Sequence, residues 1–231
     1  MGWSFGLKPV IGVVNGLDLA RGGARLYYSL RELNARDTPN PGGRRPMKLA
    51  FIGSHGVGKT TLCFELAGRL KRLEYNVDIV KEVARECPLP INRATSLAAQ
   101  LWILHTQCAR ELAACARFEM VVCDRSVLDN YAYLLHSQGT QAAVEAWLQE
   151  WLHSYDFLVK VPVWRPPTFD GTRDTGEDFQ LIIDSLLDAI LKKYDASVLR
   201  LQKRHRRRWI DQVLSRMNLP VQPVQLDLFT R

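Results

Sequence analysis

The stretch from Met47 to Thr61 constrains the fold of this 231-residue chain more than any other segment. It contains the eight residues GSHGVGKT at 53–60, which match the phosphate-binding pattern G-x-x-x-x-G-K-S/T in full. An apolar run at 49–52 precedes the loop and predicts a buried strand. Leucines spaced by three and four residues follow it and predict a helix, namely Leu62, Leu66, Leu70 and Leu73. Strand, glycine loop and helix in this order are the structural context that the motif requires.

The residue types of the loop suit a nucleoside triphosphate. Glycines let the backbone curl so that its N–H groups face phosphate oxygens, and the start of the helix adds partial positive charge. Lys59 is predicted to reach the β- and γ-phosphates, and Thr60 to offer its hydroxyl to Mg²⁺. His55 stands at a variable position of the motif, and no catalytic role is predicted for it. The predicted binding set for ATP with Mg²⁺ is Gly53, Ser54, His55, Gly56, Val57, Gly58, Lys59, Thr60 and Thr61.

Composition indicates an ordinary soluble protein with a mildly basic body. The hydrophobic fraction is 47% and the charged fraction 24%. The net charge is +7, and residues 1–46, with seven basic and three acidic side chains, hold +4 of it. A remaining charge of +3 suits an anionic ligand without requiring nucleic acid. Five cysteines without C-x-x-C spacing predict reduced thiols, and no apolar run approaches the roughly 18 residues of a membrane span. We therefore expect a cytoplasmic protein.

Three regions are predicted along the chain. Residues 1–46 are rich in glycine, proline and arginine and include the linker-like sequence TPNPGG, so they predict a basic, flexible N-terminal extension. A basic arm that contacts nucleic acid or a partner is the less favoured interpretation. Residues 47–219 are predicted to form one P-loop domain, and 220–231 a C-terminal tail.

Strand and helix patterns alternate through the predicted domain. Such alternation favours an α/β fold of the P-loop NTPase type, with a five-stranded parallel sheet and helices on both faces. In sheets of this kind ligands bind beyond the carboxyl ends of the strands, so polar residues there are the candidates for a site. The predicted strands are 47–52, 77–80, 120–123, 157–161 and 197–201, and the predicted helices are 59–73, 94–117, 128–137, 141–153, 177–193 and 204–217.

Charged residues follow the second and third strands. Glu82 is predicted to accept the proton of an attacking hydroxyl, and Arg85 to bind an anionic or hydroxylated substrate. Asp124 is predicted to hold Mg²⁺ directly or through its water shell. Arg125 is a candidate to bind substrate or brace the site, whereas Asp129 is favoured as a helix-start residue. The alternative for each is a solvated loop charge or a simple turn cap.

Two later segments carry further arginines. The loop after the fourth strand holds Arg165 and Arg173, and its length and composition predict a lid that closes over the triphosphate. Arg173 is the favoured residue for stabilising the transferred charge. The basic run at 203–208 is interpreted as a solvated face, with packing against a nucleotide base or an acidic partner as alternatives.

Together, GSHGVGKTT, EVARE, CDRS and DGTR resemble the NadR-like AAA domain family over about residues 47–217. This family consists of P-loop proteins close to nucleoside and nucleotide kinases, and it includes ribosylnicotinamide kinase domains. The resemblance implies a kinase-type core with five parallel strands, ATP and Mg²⁺ at the loop, and a lid carrying Arg173. It also supports Glu82 and Asp124 as acidic site residues. The nicotinamide riboside specificity elements are not recognised, so the substrate does not carry over.

Two functions follow as the main hypotheses, and a third, a binding module that has lost catalysis, is disfavoured by the presence of Lys59, Thr60 and Asp124. The favoured one is a kinase that transfers the γ-phosphoryl group of ATP to a small nucleoside-like or nucleotide-like acceptor. Its predicted catalytic residues are Lys59, Glu82, Asp124 and Arg173, and its predicted substrate-binding residues are Glu82, Arg85 and Arg125. The alternative is an AAA-type ATPase or nucleotide-dependent switch that acts on a macromolecular or lipid partner.

Overall fold

The computed structural model describes residues 45–91, 95–166 and 177–221. Strands and helices alternate through these ranges, as the periodicity predicts. The strands are β1 (Met47–Ile52), β2 (Val77–Val80), β3 (Met120–Asp124), β4 (Phe157–Lys160) and β5 (Val198–Arg200). The α-helices are α1 (Lys59–Arg72), α2 (Leu97–Cys115), α3 (Val127–Gln138), α4 (Ala142–Leu152), α5 (Glu177–Lys193) and α6 (Trp209–Arg216), and two 3₁₀ segments cover Val83–Glu86 and Lys203–Arg208.

The strands form one parallel sheet in the order β2-β3-β1-β4-β5. The predicted five-stranded parallel sheet is therefore confirmed. β1 lies in the centre, where Phe51 pairs with Asp124 of β3 and with Val159 of β4. This register sets the end of β3 beside the end of β1, at the point where the glycine loop begins.

Both faces of the sheet are buried. Ala50 and Ile52 of β1 belong to one apolar layer, and the alternate residues Leu49 and Phe51 belong to the other. The first layer contains buried side chains of α2, α3, α4 and α5, and the second contains those of α1 and α6. Helices therefore cover the sheet on both sides, which explains why the strands are continuous apolar runs.

Two helices begin later than the sequence pattern suggests. α2 starts at Leu97 because the Ser96 hydroxyl accepts a hydrogen bond from the Ala99 N–H group and caps the helix. The predicted start of that helix, residue 94, lies outside the described residues.

The last helix was predicted over 204–217, and this prediction is wrong at its start. Lys203–Arg208 forms a 3₁₀ segment, with His205 at φ −109° and ψ 21°, and the α-helix begins at Trp209. A run of cations at a helix N-terminus opposes the helix dipole, and like charges three or four residues apart repel each other. These costs fall on the basic run and explain why regular α-helix begins only after it.

The remaining predictions about the chain have mixed outcomes. All five cysteines are free thiols, four of them buried and Cys87 half-buried. No helix in the described part of the chain is long and apolar enough to cross a membrane. Most of the predicted N-terminal extension and of the C-terminal tail lies outside the described residues, so those two regions stay predictions.

Candidate active site

The phosphate loop depends on three glycines with positive φ. Gly53, Gly56 and Gly58 have φ values of 146°, 74° and 101°, a region that side chains with a Cβ rarely adopt. At Gly53 space is limiting as well, because an added Cβ would lie 2.8 Å from the carbonyl oxygen of Val161. The glycines of the motif therefore let the chain leave β1 and pass close to the end of β4.

Lys59 begins α1 and turns back over the loop. Its buried ammonium donates hydrogen bonds to the carbonyl oxygens of Gly53, at 2.8 Å, and Ser54, at 2.7 Å. Burial, and after it the nearby charge of Arg125, lowers the pKa of Lys59 to about 8, against the opposing effect of Asp129. The cation is thus held inside the loop by main-chain oxygens that carry only partial charge.

Thr60 and Asp124 lie next to each other at the carboxyl edge of the sheet. The Thr60 hydroxyl donates to Asp124 Oδ2 at 2.5 Å, and Asp124 is buried at the end of β3. A hydroxyl and a carboxylate are the hard oxygen donors that Mg²⁺ prefers. Among residues 45–91, 95–166 and 177–221, no group of three or more His, Cys, Asp or Glu side chains is arranged to hold a metal. The hydroxyl and carboxylate pair fits a Mg²⁺ ion that takes its other ligands from phosphates and water.

Asp129 makes a contact that sequence reasoning missed. It belongs to a capping box at the start of α3, in which its Oδ2 accepts from the Ser126 N–H group at 2.8 Å. The predicted helix-start role is therefore confirmed. Its other oxygen, however, accepts from the first N–H of the phosphate loop, that of Gly53, at 2.9 Å. The spacing S-x-x-D signals the cap, but nothing local signals the contact with the loop.

Burial also marks Asp129 as part of this centre. Burial raises the pKa of Asp129, and the charges of Lys59 and Arg125 oppose that rise. The carboxylate thus lies between the loop and the turn that follows β3. It connects them through its hydrogen bonds to Gly53 and Ser126 and through the charges of Lys59 and Arg125.

The Glu82 carboxylate accepts hydrogen bonds from two arginines. Arg125 Nε donates to Glu82 Oε1 at 2.8 Å, and Arg125 Nη2 lies 2.8 Å from the same oxygen as an ion pair. Arg85 Nε donates to Glu82 Oε2 at 3.0 Å. Burial alone would lower the pKa of Arg125, but the Glu82 carboxylate raises it well above the ordinary value. The structure thus brings together the three residues that were predicted to face the substrate.

Aromatic side chains line the loop where α3 and α5 meet it. His55 Nδ1 lies 3.3 Å from the Tyr133 hydroxyl, and the His55 ring lies 5.5 Å from that of Phe179. Tyr133 also carries the Arg125 guanidinium 5.0 Å from its ring centroid. Gln180 Nε2 donates to the His55 carbonyl at 2.8 Å. The His55 side chain therefore packs against α3 and α5, while its main chain belongs to the loop.

Trp164 is a second residue that sequence reasoning missed. Its indole N–H donates to the carbonyl oxygen of Val57 in the phosphate loop at 2.8 Å. The guanidinium of Arg206 lies 3.7 Å from the Trp164 ring centroid, and that of Arg165 lies 4.6 Å away. The basic run at 203–208 is exposed, as predicted, and Arg206 of this run is linked to the loop through Trp164. Arg173 lies outside the described residues, so its lid role stays a prediction.

Comparison with known proteins identifies the family. A family model described as an AAA domain matches residues 48–208, which is well over half of the chain. This chain belongs to that AAA domain family. The resemblance inferred from the four sequence motifs is thereby confirmed. A search of curated proteins finds no significant match to the AAA domain chain.

Solved structures show the same fold at low sequence identity. Deoxyadenosine kinase from M. mycoides with bound dATP is 19% identical, with a TM-score of 0.54 over 74% of this chain and 99% of that one. Thymidylate kinase from Ehrlichia chaffeensis is 18% identical, with a TM-score of 0.53 over 76% and 100%. NadR in complex with NR is 18% identical, with a TM-score of 0.61 over 78% and 54%, so the AAA domain chain spans about half of NadR. The fold is therefore that of P-loop nucleoside and nucleotide kinases.

Proposed function

We propose that this AAA domain protein is an ATP-dependent kinase that phosphorylates a small nucleoside-like or nucleotide-like acceptor. One observation carries the proposal: a buried carboxylate held by two arginines, Glu82 with Arg85 and Arg125, lies beside the phosphate loop. The Arg125 N–H group donates to the carbonyl of Phe51, two residues before the loop begins, so the two clusters are adjacent. The charges of Arg125 and Glu82 also affect the pKa of Lys59. Transfer between two bound molecules needs such a second polar cluster, whereas nucleotide binding alone does not.

Buried polar atoms without a partner support a ligand at this edge of the sheet. Within the described ranges, Ser54 Oγ, Arg125 Nη1 and Asn130 Nδ2 are buried without a hydrogen-bond partner. They belong to the phosphate loop, the turn after β3 and α3. Buried polar groups are almost always paired, so unpaired ones at one edge of a sheet indicate a ligand or ordered water.

On the ATP side, the loop N–H groups and Lys59 would bind the phosphates. Triphosphate oxygens offer Lys59 full negative charge in place of the partial charge of the Gly53 and Ser54 carbonyls. Thr60 and Asp124 would hold Mg²⁺, which supplies neutralisation of charge on the phosphates when it is bound. Arg173 is proposed to approach the transferred group from the predicted lid.

On the acceptor side, Arg125 and Arg85 would have different roles. The Arg125 side chain is 5% exposed and braces Glu82, whereas the Arg85 side chain is 44% exposed and can reach a ligand that enters from solvent. Glu82 would orient the attacking hydroxyl and receive its proton. Phosphoryl transfer proceeds through a loose transition state, so orientation contributes more than basicity.

The test is ATP consumption with Mg²⁺ against a panel of nucleosides, nucleoside monophosphates and nicotinamide riboside. Stimulation by one acceptor, together with its phosphorylated product, is expected. Lys59→Ala should lower turnover by about 100-fold or more because the phosphates lose their positioned cation, while the fold persists. Retained turnover in a folded Lys59→Ala protein would overturn the assignment.

The same assay addresses the alternative of an ATPase or switch with a macromolecular or lipid partner. The contact from Val57 through Trp164 to Arg206 favours that alternative, because it joins the loop to an exposed basic run. Slow hydrolysis that no acceptor changes would then be expected.

A cytoplasmic location is proposed as well, and it rests on the five unpaired thiols.

A further inference from the structure

Arg125 adopts an unusual main-chain conformation for a residue with a side chain. Its φ is 89°, in the left-handed region that favours glycine. Such a conformation persists only where surrounding contacts impose it. Two main-chain contacts do so: the Arg125 N–H donates to the Phe51 carbonyl at 3.2 Å, and the Arg125 carbonyl accepts from Gln107 Nε2 at 3.3 Å.

Gln107 belongs to a buried polar network centred on Glu111, which is 0% exposed on α2. Four donors surround the Glu111 carboxylate. Gln107 Nε2 (2.9 Å) and the Tyr155 hydroxyl (2.7 Å) reach Oε1, whereas Lys48 Nζ (2.7 Å) and Trp151 Nε1 (3.0 Å) reach Oε2. The carboxylate is thus satisfied by side chains from β1, α2, α4 and the connection between α4 and β4.

Two side chains of this network, Gln107 and Tyr155, form hydrogen bonds with the main chain of the turn after β3. The two partners of the Gln107 amide, Glu111 Oε1 and the Arg125 carbonyl, are both acceptors, so the NH₂ group must face them. The Tyr155 hydroxyl donates to Glu111 and accepts from the Val127 N–H group at 3.1 Å. The two side chains therefore bind the main chain on either side of Ser126, at the Arg125 carbonyl and the Val127 N–H group.

Core packing alone does not explain why Gln107 and Tyr155 form these two hydrogen bonds. Burying a carboxylate and an ammonium such as Glu111 and Lys48 costs desolvation, and apolar side chains of similar size fill a core as well or better. What apolar side chains cannot supply is a directed hydrogen bond to the Arg125 carbonyl and to the Val127 N–H group. The network thus fixes the orientation of the main chain at this turn.

We propose that Gln107 and Tyr155, anchored on Glu111, are positioning residues that lock the turn and thereby hold the Arg125 guanidinium on Glu82. Neither side chain touches the phosphate loop or Glu82 in the contacts described above. The catalytic consequence of the lock rests on the proposed kinase function, whereas its structural consequence does not.

The first test compares Gln107→Met with Gln100→Met. Both glutamines are buried on α2, at 1% and 6% exposure, and both donate a side-chain hydrogen bond, but Gln100 donates to Thr95 and not to the turn. The readout is the solvent-exchange rate of the Arg125 Nε–H group by NMR, whose signal is identified by its loss in Arg125→Lys. About tenfold faster exchange is expected in Gln107→Met and none in Gln100→Met, because only the former loosens the bond to Glu82.

A second pair keeps the test valid if Gln107→Met does not fold. Tyr155→Phe removes the hydroxyl that joins Glu111 to Val127, and Tyr131→Phe removes a buried-ring hydroxyl that donates to Glu145 outside the turn. Faster Arg125 Nε–H exchange is expected in Tyr155→Phe alone. Equal exchange rates within both matched pairs would overturn the proposal, even if kinase activity is found.

Kinetics distinguishes the lock from the proposed function. With an identified acceptor, Gln107→Met should lower kcat/KM for the acceptor by about tenfold while the Kd for ATP stays unchanged. An equal loss in Gln100→Met would overturn the positioning role. If the wild-type protein phosphorylates no acceptor, the proposed function fails, and selective loss of Arg125 Nε–H protection still supports the lock.

Discussion

At the scale of the residue, Lys59 couples nucleotide binding to pH. Its pKa is lowered from 10.5 to about 8, mainly because burial disfavours the charged form. Between these two values the folded protein has released a proton that the unfolded chain retains, so this group adds stability as the pH rises from 8 to 10.5. A bound triphosphate has the opposite preference, since it stabilises the ammonium.

We therefore predict that affinity for ATP falls as the pH rises above about 8, by up to about tenfold per pH unit. Calorimetric titration in two buffers with different ionisation enthalpies should show uptake of about one proton near pH 9 and almost none near pH 6. Lys59→Arg should bind more weakly but without this pH dependence, because guanidinium stays charged. Affinity that is constant across this pH range in the wild-type protein would contradict the prediction.

Gly53 is the position where the loop tolerates no side chain. Gly53→Ala should destabilise the fold by about 3 kcal/mol, because the added Cβ meets the Val161 carbonyl and because φ is 146°. Gly68→Ala is the control, since Gly68 is an exposed helical glycine with nothing within 4 Å of the added Cβ. That change should stabilise α1 by about 0.5–1 kcal/mol. Urea denaturation measures both, and a similar effect at the two positions would refute the argument.

At the scale of the element, the start of α3 does more than begin a helix. The Ser126 hydroxyl accepts from the Leu128 N–H group and donates to Asp129, which in turn accepts from Gly53. The cap of one helix is thus also a link to the phosphate loop. Its local half follows from the order of residues along the chain, and its second half depends on the pairing of β1 with β3.

We predict that Ser126→Ala lowers the free energy of unfolding by about 1–2 kcal/mol, because the first N–H groups of α3 lose their cap in a buried setting. Ser137→Ala is the matched control on the same helix. Its exposed hydroxyl donates back to the Tyr133 carbonyl, so its loss should change stability by less than about 0.5 kcal/mol. Urea denaturation of the two variants decides, and equal losses would argue against a special role of the cap.

At the scale of the whole molecule, a late part of the chain returns to the phosphate loop at 53–60. Trp164 donates to Val57 of the loop and packs under Arg206, while Trp209 anchors the start of α6 by donating to the Gln202 carbonyl at 2.9 Å. Two indole N–H groups therefore make the same kind of bond, and only one of them ends on the phosphate loop.

This pair gives a prediction about how the loop is organised. Trp164→Phe should weaken ATP binding by about fivefold, because the Val57 carbonyl loses its donor and the loop loses order. Trp209→Phe should leave the Kd for ATP unchanged while costing about 1 kcal/mol of stability. Isothermal titration and urea denaturation measure the two quantities. Equal effects of both changes on the Kd would show that Trp164 acts only through general stability.

Particular residues show how far sequence analysis reached. The strands and most of the helices were predicted within a few residues, because their apolar spacing is a local property of the chain. The last helix was placed too early, because it was extended from the apolar residues that begin at Trp209 back into the basic run, whose charges oppose regular helix. Lys59 and Thr60 were proposed as site residues from the phosphate-loop motif, and Asp124, Glu82 and Arg125 from their places after strand ends. The structure gathers these residues at one edge of the sheet.

The sequence by itself determined the phosphate loop, the alternation of strands and helices, and the family. Each of these depends on residues that are near neighbours in the chain. The tertiary structure decided the contacts of Asp129 with Gly53 and of Trp164 with Val57, and the network around Glu111. These contacts join residues as far as 76 and 107 positions apart, so they exist only after the parallel strands have paired and the helices have packed. No spacing rule connects such residues, because the distance between them is set by the sheet and not by the chain.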